Sequence, residues 1–297
     1  MSRLVQNLFR RLVFGFRIIT KSKLYDYTLS CPFCQSYKTK ILQHKYWILQ
    51  LKQCDNCGLM FRFPKDAIQS SLSFYNDSYS QDDDLTTNIP NPEKLKQLKC
   101  NNFKGSGKDF SERIEMLKRL TKCKGKLLEF GSSWGYFLYQ ASNNGFNCSG
   151  IEVSKRRAEF GIKNLNVSIA TEYESVPDAS IDVIYSCHVI EHIADLSKAF
   201  NFFVRVLRKN GLLVIECPNC SSDYAKNQGV YWGPMIGEVH VNAITAEFLE
   251  KALKSYGFNV KMITRLEEIT DLESFLSKSQ ENCNLQGDNL IAIAQKF

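Results

Sequence analysis

The sequence predicts an α/β protein in which a mostly parallel sheet, covered by helices on both faces, follows a small cysteine-bound module. Three observations carry this expectation. From residue 109 onward, short apolar runs alternate with stretches of helical period, the pattern of strands joined by helical crossovers. Near the N-terminus two C-x2-C pairs, Cys31/Cys34 and Cys54/Cys57, are separated by nineteen residues. The 297 residues, 44% hydrophobic and 12% aromatic, exceed one ordinary domain, so one large domain with a smaller attachment is expected. No run of about 18 consecutive apolar residues occurs, and no membrane-spanning helix is predicted.

Residues 1–24, "MSRLVQNLFRRLVFGFRIITKSKL", place Leu4, Val5, Leu8, Phe9, Leu12, Phe16 and Ile19 at helical spacing, with Arg3, Arg10 and Arg17 flanking the stripe. This reads as a basic amphipathic helix. Such a helix can lie in an anionic membrane interface, pack on its own domain, or serve as a transit peptide. The segment holds six basic and no acidic residues, so the rest of the chain, with 32 basic and 31 acidic groups, is close to neutral. A nucleic-acid binder usually spreads basic residues over a folded face, so the overall charge of +7 does not by itself point to nucleic acid.

Residues 25–75 contain the paired cysteines. Two C-x2-C turns at this separation match a tetrahedral four-cysteine zinc site formed by Cys31, Cys34, Cys54 and Cys57. Two disulfides, or four buried thiols, are the alternatives. The odd total of eleven cysteines and the absence of a signal-peptide pattern favour a reducing, cytoplasmic compartment, and with it zinc. Four sulfurs leave no open ligand position, so the metal is expected to be structural, holding a ribbon too small for a core of its own. Between the pairs, "YWILQLKQC" alternates and reads as a strand. Residues 76–108 are polar, with Pro90, Pro92, Gly105 and Gly107, and read as a linker or lid.

The large domain is predicted over 109–297. Its elements are helix 109–121, strand 126–130, helix 134–144, strand 147–152, helix 154–163, strands 166–169 and 181–186, helix 195–207, strand 211–216, helix 245–256, and strands 258–265 and 289–296. In a parallel sheet of this kind, ligands bind at the carboxyl ends of the strands. There "LLEFGSSWGYFL" runs strand, turn and helix together, so Gly131 and Gly135 let a ligand approach the backbone at a helix N-terminus. The next strand ends at Glu152 in "GIEVS", where a carboxylate can accept both hydroxyls of a ribose or else serve as a helix N-terminal carboxylate.

"LLEFGSSWGYFL", "GIEVS", "IDVIYSCHVIEHI" and "LRKNGLLVIECPN", in this order, resemble the successive motifs of class I S-adenosylmethionine-dependent methyltransferases. The resemblance covers about residues 109–297 and is nearest to the ubiquinone-biosynthesis-like, type 23 group. It implies a Rossmann-like, seven-stranded, mostly parallel sheet with an antiparallel C-terminal hairpin formed by "FNVKMITRL" and "NLIAIAQKF". It also implies that Glu129 and the turn Gly131, Ser132, Ser133 and Gly135 hold the methionyl part of S-adenosylmethionine. Glu152 would then hold the ribose, Glu172 or Tyr173 the adenine edge, and His188 would face the sulfonium. Ser133 stands where the family has its middle glycine, and Trp134 follows it. The G-x-G-x-x-G fingerprint of a dinucleotide-dependent dehydrogenase is absent.

Methyl transfer to a hydroxyl or carbon acid needs a proton acceptor. Of the four histidines, His44 falls in the ribbon, and His192, in "EHI", is either catalytic or an interior hydrogen-bonded residue. His240, in "GEVHVN" after the aromatic "YWGPM", is either the base or a residue orienting that loop. Glu191 and Glu238 are possible partners or alternative bases. A zinc ribbon ahead of this domain type resembles sugar methyltransferases of glycan or natural-product assembly, whose acceptors are sugars or nucleotide-linked sugars. The basic N-terminal segment would suit peripheral membrane contact near lipid-linked intermediates. An RNA methyltransferase and a non-catalytic ribbon scaffold are the competing expectations.

Overall fold

A computed structural model describes residues 25–67, 88–122, 125–237, 239–266, 269, 271–277 and 285–297. The amphipathic segment 1–24, residues 76–87 of the expected linker, and Glu238 lie outside the described residues. The N-terminal module consists of β1 (Tyr25–Asp26), β2 (Thr39–Lys45), β3 (Leu49–Cys54), β4 (Met60–Phe63) and β5 (Lys65–Asp66). The strand expected from Tyr46 starts only at Leu49, because Tyr46 and Trp47 form the hairpin turn between β2 and β3 with φ of +56° and +62°.

The body follows with α1 (Pro92–Cys100), α2 (Ser111–Thr121), β6 (Lys126–Phe130), α3 (Tyr136–Asn143), β7 (Asn147–Ile151), α4 (Lys155–Leu165), β8 (Ile169–Ala170), β9 (Ile181–Cys187), α5 (Leu196–Val206) and β10 (Leu207–Pro218). It ends with α6 (Asp223–Gln228), β11 (Asn242–Ala243), α7 (Ala246–Ser255), β12 (Phe258–Ile263), α8 (Leu272–Ser277) and β13 (Asn289–Lys296). Seven strands form one Rossmann-like sheet in the order β12-β13-β10-β9-β6-β7-β8. The five from β10 to β8 are parallel, and β13 inserts antiparallel between β10 and β12, as the C-terminal pattern predicted.

Side chains alternate across the sheet as the period-2 pleat requires. Leu128, Phe130, Ile184, Leu213 and Ile215 face α5 and α7, while Leu127, Val183, Tyr185, Leu212 and Val214 face α1 to α4. The order of strand addition reverses between β6 and β9, the switch point where a crevice opens at the strand ends.

Two features differ from the sequence reading. Within the segment read as linker or lid, Pro92–Cys100 is a helix, and its Leu95 and Leu98, with Phe103, are buried in the same core as Phe137. Asn91 accepts from the Lys94 amide as N-cap and Pro92 occupies the first turn, so the Asn-Pro read as a break is a helix start. Nor is the ribbon an appendage. Its sheet, in the order β11-β4-β3-β2, takes its fourth strand from residues 242–243, and Cys31, Cys54, Cys57, Leu59 and Phe61 share one core with Phe200 and Phe248.

Candidate active site

The carboxyl end of β6 delivers the glycine turn. The chain passes through Gly131 (φ +83°), Ser133 (φ +48°) and Gly135 (φ +79°) into α3. A β-carbon on Gly131 would lie 2.4 Å from a methyl of Val189, and one on Gly135 2.7 Å from a methyl of Val167, so both positions require glycine on two counts. The amides of Gly131 and Ser132 each donate to the Ile151 carbonyl at 2.9 Å, tying the turn to β7. Ser133 adopts the left-handed conformation at a cost of about 1–2 kcal/mol, offset by its amide hydrogen bond to Glu152 Oε2 at 2.8 Å. The serine therefore keeps the left-handed turn without its middle glycine. Trp134 is buried and packs with the rings of Phe103, Tyr136 and Phe160 at 4.9–5.8 Å, anchoring the turn to the helical layer.

Two buried carboxyl groups face this turn. Glu129 Oε2 and the hydroxyls of Ser132 and Ser133 are buried without a hydrogen-bond partner. Burial, and then the charge of Glu152, push Glu129 well above the carboxylate range. Burial also raises Glu152. Glu152 Oε1 accepts from the Ser154 amide at 2.8 Å, at the start of α4, so it is a helix N-terminal carboxylate. Each of its oxygens keeps a second lone pair for a ligand donor. The crevice is thus rich in acceptors, with the buried Arg157 as the cation whose charge favours ionised Glu152. Glu172 is exposed, whereas the ring of Tyr173 packs on Phe130 and Phe202 at 5.4 and 4.9 Å as an apolar wall.

Beyond β9 the chain makes a tight turn at His188 (φ +54°) and a 3-10 turn over Ile190–His192. Glu191 is 1% exposed, and neither of its carboxylate oxygens has an aligned hydrogen-bond donor. His188 Nδ1 lies 3.3 Å and His192 Nε2 3.8 Å from Glu191 Oε1. Burial would raise Glu191, but the two imidazoles outweigh it and hold the carboxyl below its usual range. His188 thus belongs to this cluster as Glu191's neighbour. Burial pulls His188 down, and Glu191 and Glu216 more than reverse that.

His240 arrives from the other side, its ring 4.6 Å from that of His192. His192 Nδ1 lies 2.9 Å from the Val239 carbonyl and His240 Nδ1 3.1 Å from the Gly233 carbonyl. A carbonyl only accepts, so both Nδ1 atoms carry the proton and both Nε2 lone pairs are free in the neutral rings. Burial and the neighbouring His192 push His240 down to about 4. One ring nitrogen each of His192 and His240 and a carboxylate oxygen of Glu191 lie within 4.8 Å of one another, a cluster of groups able to take a proton or a divalent cation.

Sequence reasoning missed what holds this cluster. Asn242, in β11, donates to the carbonyls of Ile190 (3.1 Å) and Ile193 (2.8 Å), and the Val241 amide donates to the Glu191 carbonyl at 2.9 Å. It also missed Arg113 of α2, whose guanidinium forks onto Glu216 at 2.7 and 3.1 Å; Tyr185 adds a hydroxyl contact at 3.3 Å. Glu216 was visible in the quoted "IECPN", but nothing in sequence connects it to residue 113. With its oxygens so occupied, Glu216 is a poorer metal ligand than Glu191.

The four paired cysteines converge. Their sulfurs lie within 4.8 Å of one another, with Cys31–Cys57 at 3.6 Å and Cys34–Cys54 at 3.5 Å, and none is in a disulfide. Sulfurs about 2.3 Å from a tetrahedral zinc are about 3.8 Å apart, so the spacing fits that metal. Gly58 (φ +84°) donates to the Cys54 carbonyl, closing the second turn. Hydrogen bonding from Cys57 holds the Cys31 thiol down to about 6.

Residues 107–262 match the family model described as "Methyltransferase domain". A Mycobacterium tuberculosis protein named "Probable S-adenosylmethionine-dependent methyltransferase" is 46% identical over 44 residues, covering 15% of this chain and only 16% of that protein. A Mycolicibacterium smegmatis protein of similar name is 30% identical over 86 residues, covering 29% of this chain and 32% of the relative. Among solved structures, a SAM-dependent methyltransferase from Archaeoglobus fulgidus superposes with a TM-score of 0.48 at 18% identity, covering 69% of this chain and all of that one.

Proposed function

The chain belongs to the methyltransferase domain family, and we propose that it transfers a methyl group from S-adenosylmethionine to a small hydroxylated acceptor, a sugar or nucleotide-linked sugar. The observation that carries this reading is the pairing of two sites across the switch point: an acceptor-rich glycine crevice and a buried Glu191 between two imidazoles.

In the crevice, Glu129 Oε2, with the Ser132 and Ser133 hydroxyls, would take the ammonium and neighbouring polar groups of the methionyl end. Gly131 and Gly135 leave the backbone open beside them. Glu152 would hold the ribose hydroxyls with its remaining lone pairs, Tyr173 would flank the adenine, and Glu172 is the alternative at its edge. When bound, the cofactor supplies a methyl group already activated on a sulfonium. The protein's own share is alignment, exclusion of water and removal of the acceptor proton. His240, neutral at pH 7 with Nε2 free, accepts that proton; Glu191 balances the charge that develops, and His192 completes the wall. Arg113, Glu216 and His188 line the same strand ends with balanced charge, which suits a neutral polyhydroxylated acceptor better than a phosphate backbone. An RNA acceptor would instead show salt-sensitive RNA binding.

Two outcomes test the cofactor site. Glu152→Ala is expected to weaken S-adenosylmethionine and S-adenosylhomocysteine binding about 10- to 100-fold, the loss of one or two charge-assisted hydrogen bonds; unchanged affinity in titration calorimetry would remove the ribose assignment. Burial favours the protonated form of Glu129, and an incoming ammonium would favour its ionisation. Binding should therefore release protons at pH values below the raised pKa of this carboxyl and tighten as pH rises toward it. Calorimetry in two buffers of different ionisation enthalpy measures this, and identical heats would contradict it.

The convergence of ligating atoms from Glu191, His192 and His240 favours one second reading, in which a divalent cation on these three residues orients the acceptor oxygen. Dialysis against a chelator, followed by manganese add-back, should then abolish and restore turnover while the ribbon zinc stays bound. Undiminished turnover after dialysis rules this reading out.

A further inference from the structure

The methyl-transfer reading leaves one surface of the ribbon unused. The β2–β3 hairpin ends in exposed aromatic rings: Trp47 is 94% exposed and stacks on His44 at 6.4 Å. Tyr46 meets Tyr231, itself 64% exposed, edge-on at 6.0 Å, and Tyr224, 53% exposed, meets Trp232 edge-on at 6.2 Å. Ile48 of the tip shares an apolar cluster with Trp232, so the hairpin tip and residues 224–232 form one aromatic rim.

Folding does not account for the tip. Tyr46 and Trp47 both adopt left-handed backbone, with φ of +56° and +62°, where a two-residue hairpin turn favours Asn-Gly and bulky side chains are disfavoured. A tryptophan held there almost wholly in solvent buries little surface in return. Strain of this kind persists where the strained residue is used.

The rim is continuous with the acceptor side. The Val230 amide donates to Gln43 Oε1 at 2.9 Å and Lys45 donates to the Ile236 carbonyl, which fixes the 229–240 loop on the hairpin. Tyr231 is two residues from Gly233, so their α-carbons are at most about 7 Å apart. The Gly233 carbonyl in turn lies 3.1 Å from His240 Nδ1. A β-carbon on Gly233 would meet nothing within 4 Å, so the loop leaves room there for a ligand running from the rings to the histidine.

Charge selects that ligand. Among the described residues, Lys45 turns inward to Ile236, Lys226 pairs with Asp223 at 3.8 Å, and Lys38 and Lys40 belong to the opposite end of β2. A phosphate backbone or an acidic bilayer needs clustered cations, which the described residues do not place at this tip. An aromatic face carries the negative side of the ring quadrupole and attracts the slightly positive C–H hydrogens on the flat face of a pyranose. The sugar hydroxyls then stay at the edge, within reach of water and the His44 imidazole.

We propose that this rim is an outer acceptor subsite, which stacks the neutral pyranose units of a saccharide chain whose next unit is methylated beside His240. Its place in catalysis rests on the methyl-transfer reading, whereas glycan binding by the rings does not. The choice also separates a glycan acceptor from a nucleotide-linked sugar, whose diphosphate would call for cations at the rim.

The test is calorimetric titration of the full chain, without S-adenosylmethionine, with maltohexaose, cellohexaose and mannohexaose and with the corresponding monosaccharides. At least one hexasaccharide should bind, about tenfold or more tighter than its monosaccharide, because further units stack on further rings. A Trp47→Ala, Tyr231→Ala variant should lose about tenfold of that affinity, with zinc content, thermal midpoint and S-adenosylhomocysteine affinity unchanged. The second arm follows label from S-adenosylmethionine into the bound hexasaccharide. Binding that the variant loses, without label transfer, would leave the rings a glycan site and refute their acceptor role. Transfer to a monosaccharide with no preference for the chain would keep the methyl-transfer reading and overturn the rim. The rim is also overturned if no hexasaccharide binds, if the variant binds as tightly as the native protein, or if what the variant loses is binding to single-stranded RNA or to phosphatidylglycerol vesicles.

Discussion

Replacing Cys54 and Cys57 with serine is expected to release one zinc per chain and to abolish methyl transfer, although neither residue approaches the crevice. The reason is that the ribbon supports the acceptor side. β4 pairs with β11 through Phe61–Asn242 and Met60–Ala243. The Arg62 amide donates to the Val241 carbonyl, and the buried guanidinium donates to the Gly237 carbonyl at 2.7 Å while pairing with Asp66. Val241 and Asn242 in turn hold the 3-10 turn that carries Glu191 and His192. A four-thiolate zinc contributes on the order of 10–16 kcal/mol to folding of its module, comparable to the whole stability of a typical domain. Removing two ligands should therefore unfold the ribbon and free the His240 loop. The crevice of Glu129 and Glu152 rests on β6 and β7 and should still bind S-adenosylhomocysteine. Metal analysis and calorimetry separate these effects: a native protein without zinc would refute the ribbon site, and a zinc-free variant with full turnover would refute the support.

Most of the large domain was legible in the sequence because its sheet is buried on both faces. Strands such as "KLLEF" and "IDVIYSC" are then near-continuous apolar runs, and the observed Lys126–Phe130 and Ile181–Cys187 fall within a residue of expectation. The glycine turn was legible because left-handed backbone leaves a residue-type signature. Two things were not. Asn242–Ala243 is too short for any period, so its transfer into the ribbon sheet had no local signal, and with it the link between metal and acceptor site was hidden. The histidine cluster joins residues 188–192 to residue 240 across that strand. Sequence could nominate each member but not assemble them, and it set His188 against the sulfonium although its nearest ionised neighbour is Glu191.

Glu191→Gln is expected to lower kcat by roughly 10²- to 10⁴-fold, the usual worth of a positioned proton-transfer system, with cofactor affinity unchanged. The substitution keeps shape and volume in a fully enclosed position. What it removes is the negative charge that would stabilise a protonated His240 or His188 when the acceptor loses its proton. The two imidazoles hold Glu191 ionised, so its charge also supports the fold, and neutralising it should lower the thermal midpoint at pH 7. Turnover is therefore measured well below that midpoint, on variant protein that still binds S-adenosylhomocysteine; full turnover there would make the carboxylate architectural only. His240→Gln provides the companion measurement: if His240 accepts the proton and Glu191 serves that event, the double variant should be hardly slower than either single one, because the pair acts as a unit. Multiplying effects would mean that the two side chains act independently, and the proton would then have to leave by another group, of which His188 is the nearest to Glu191.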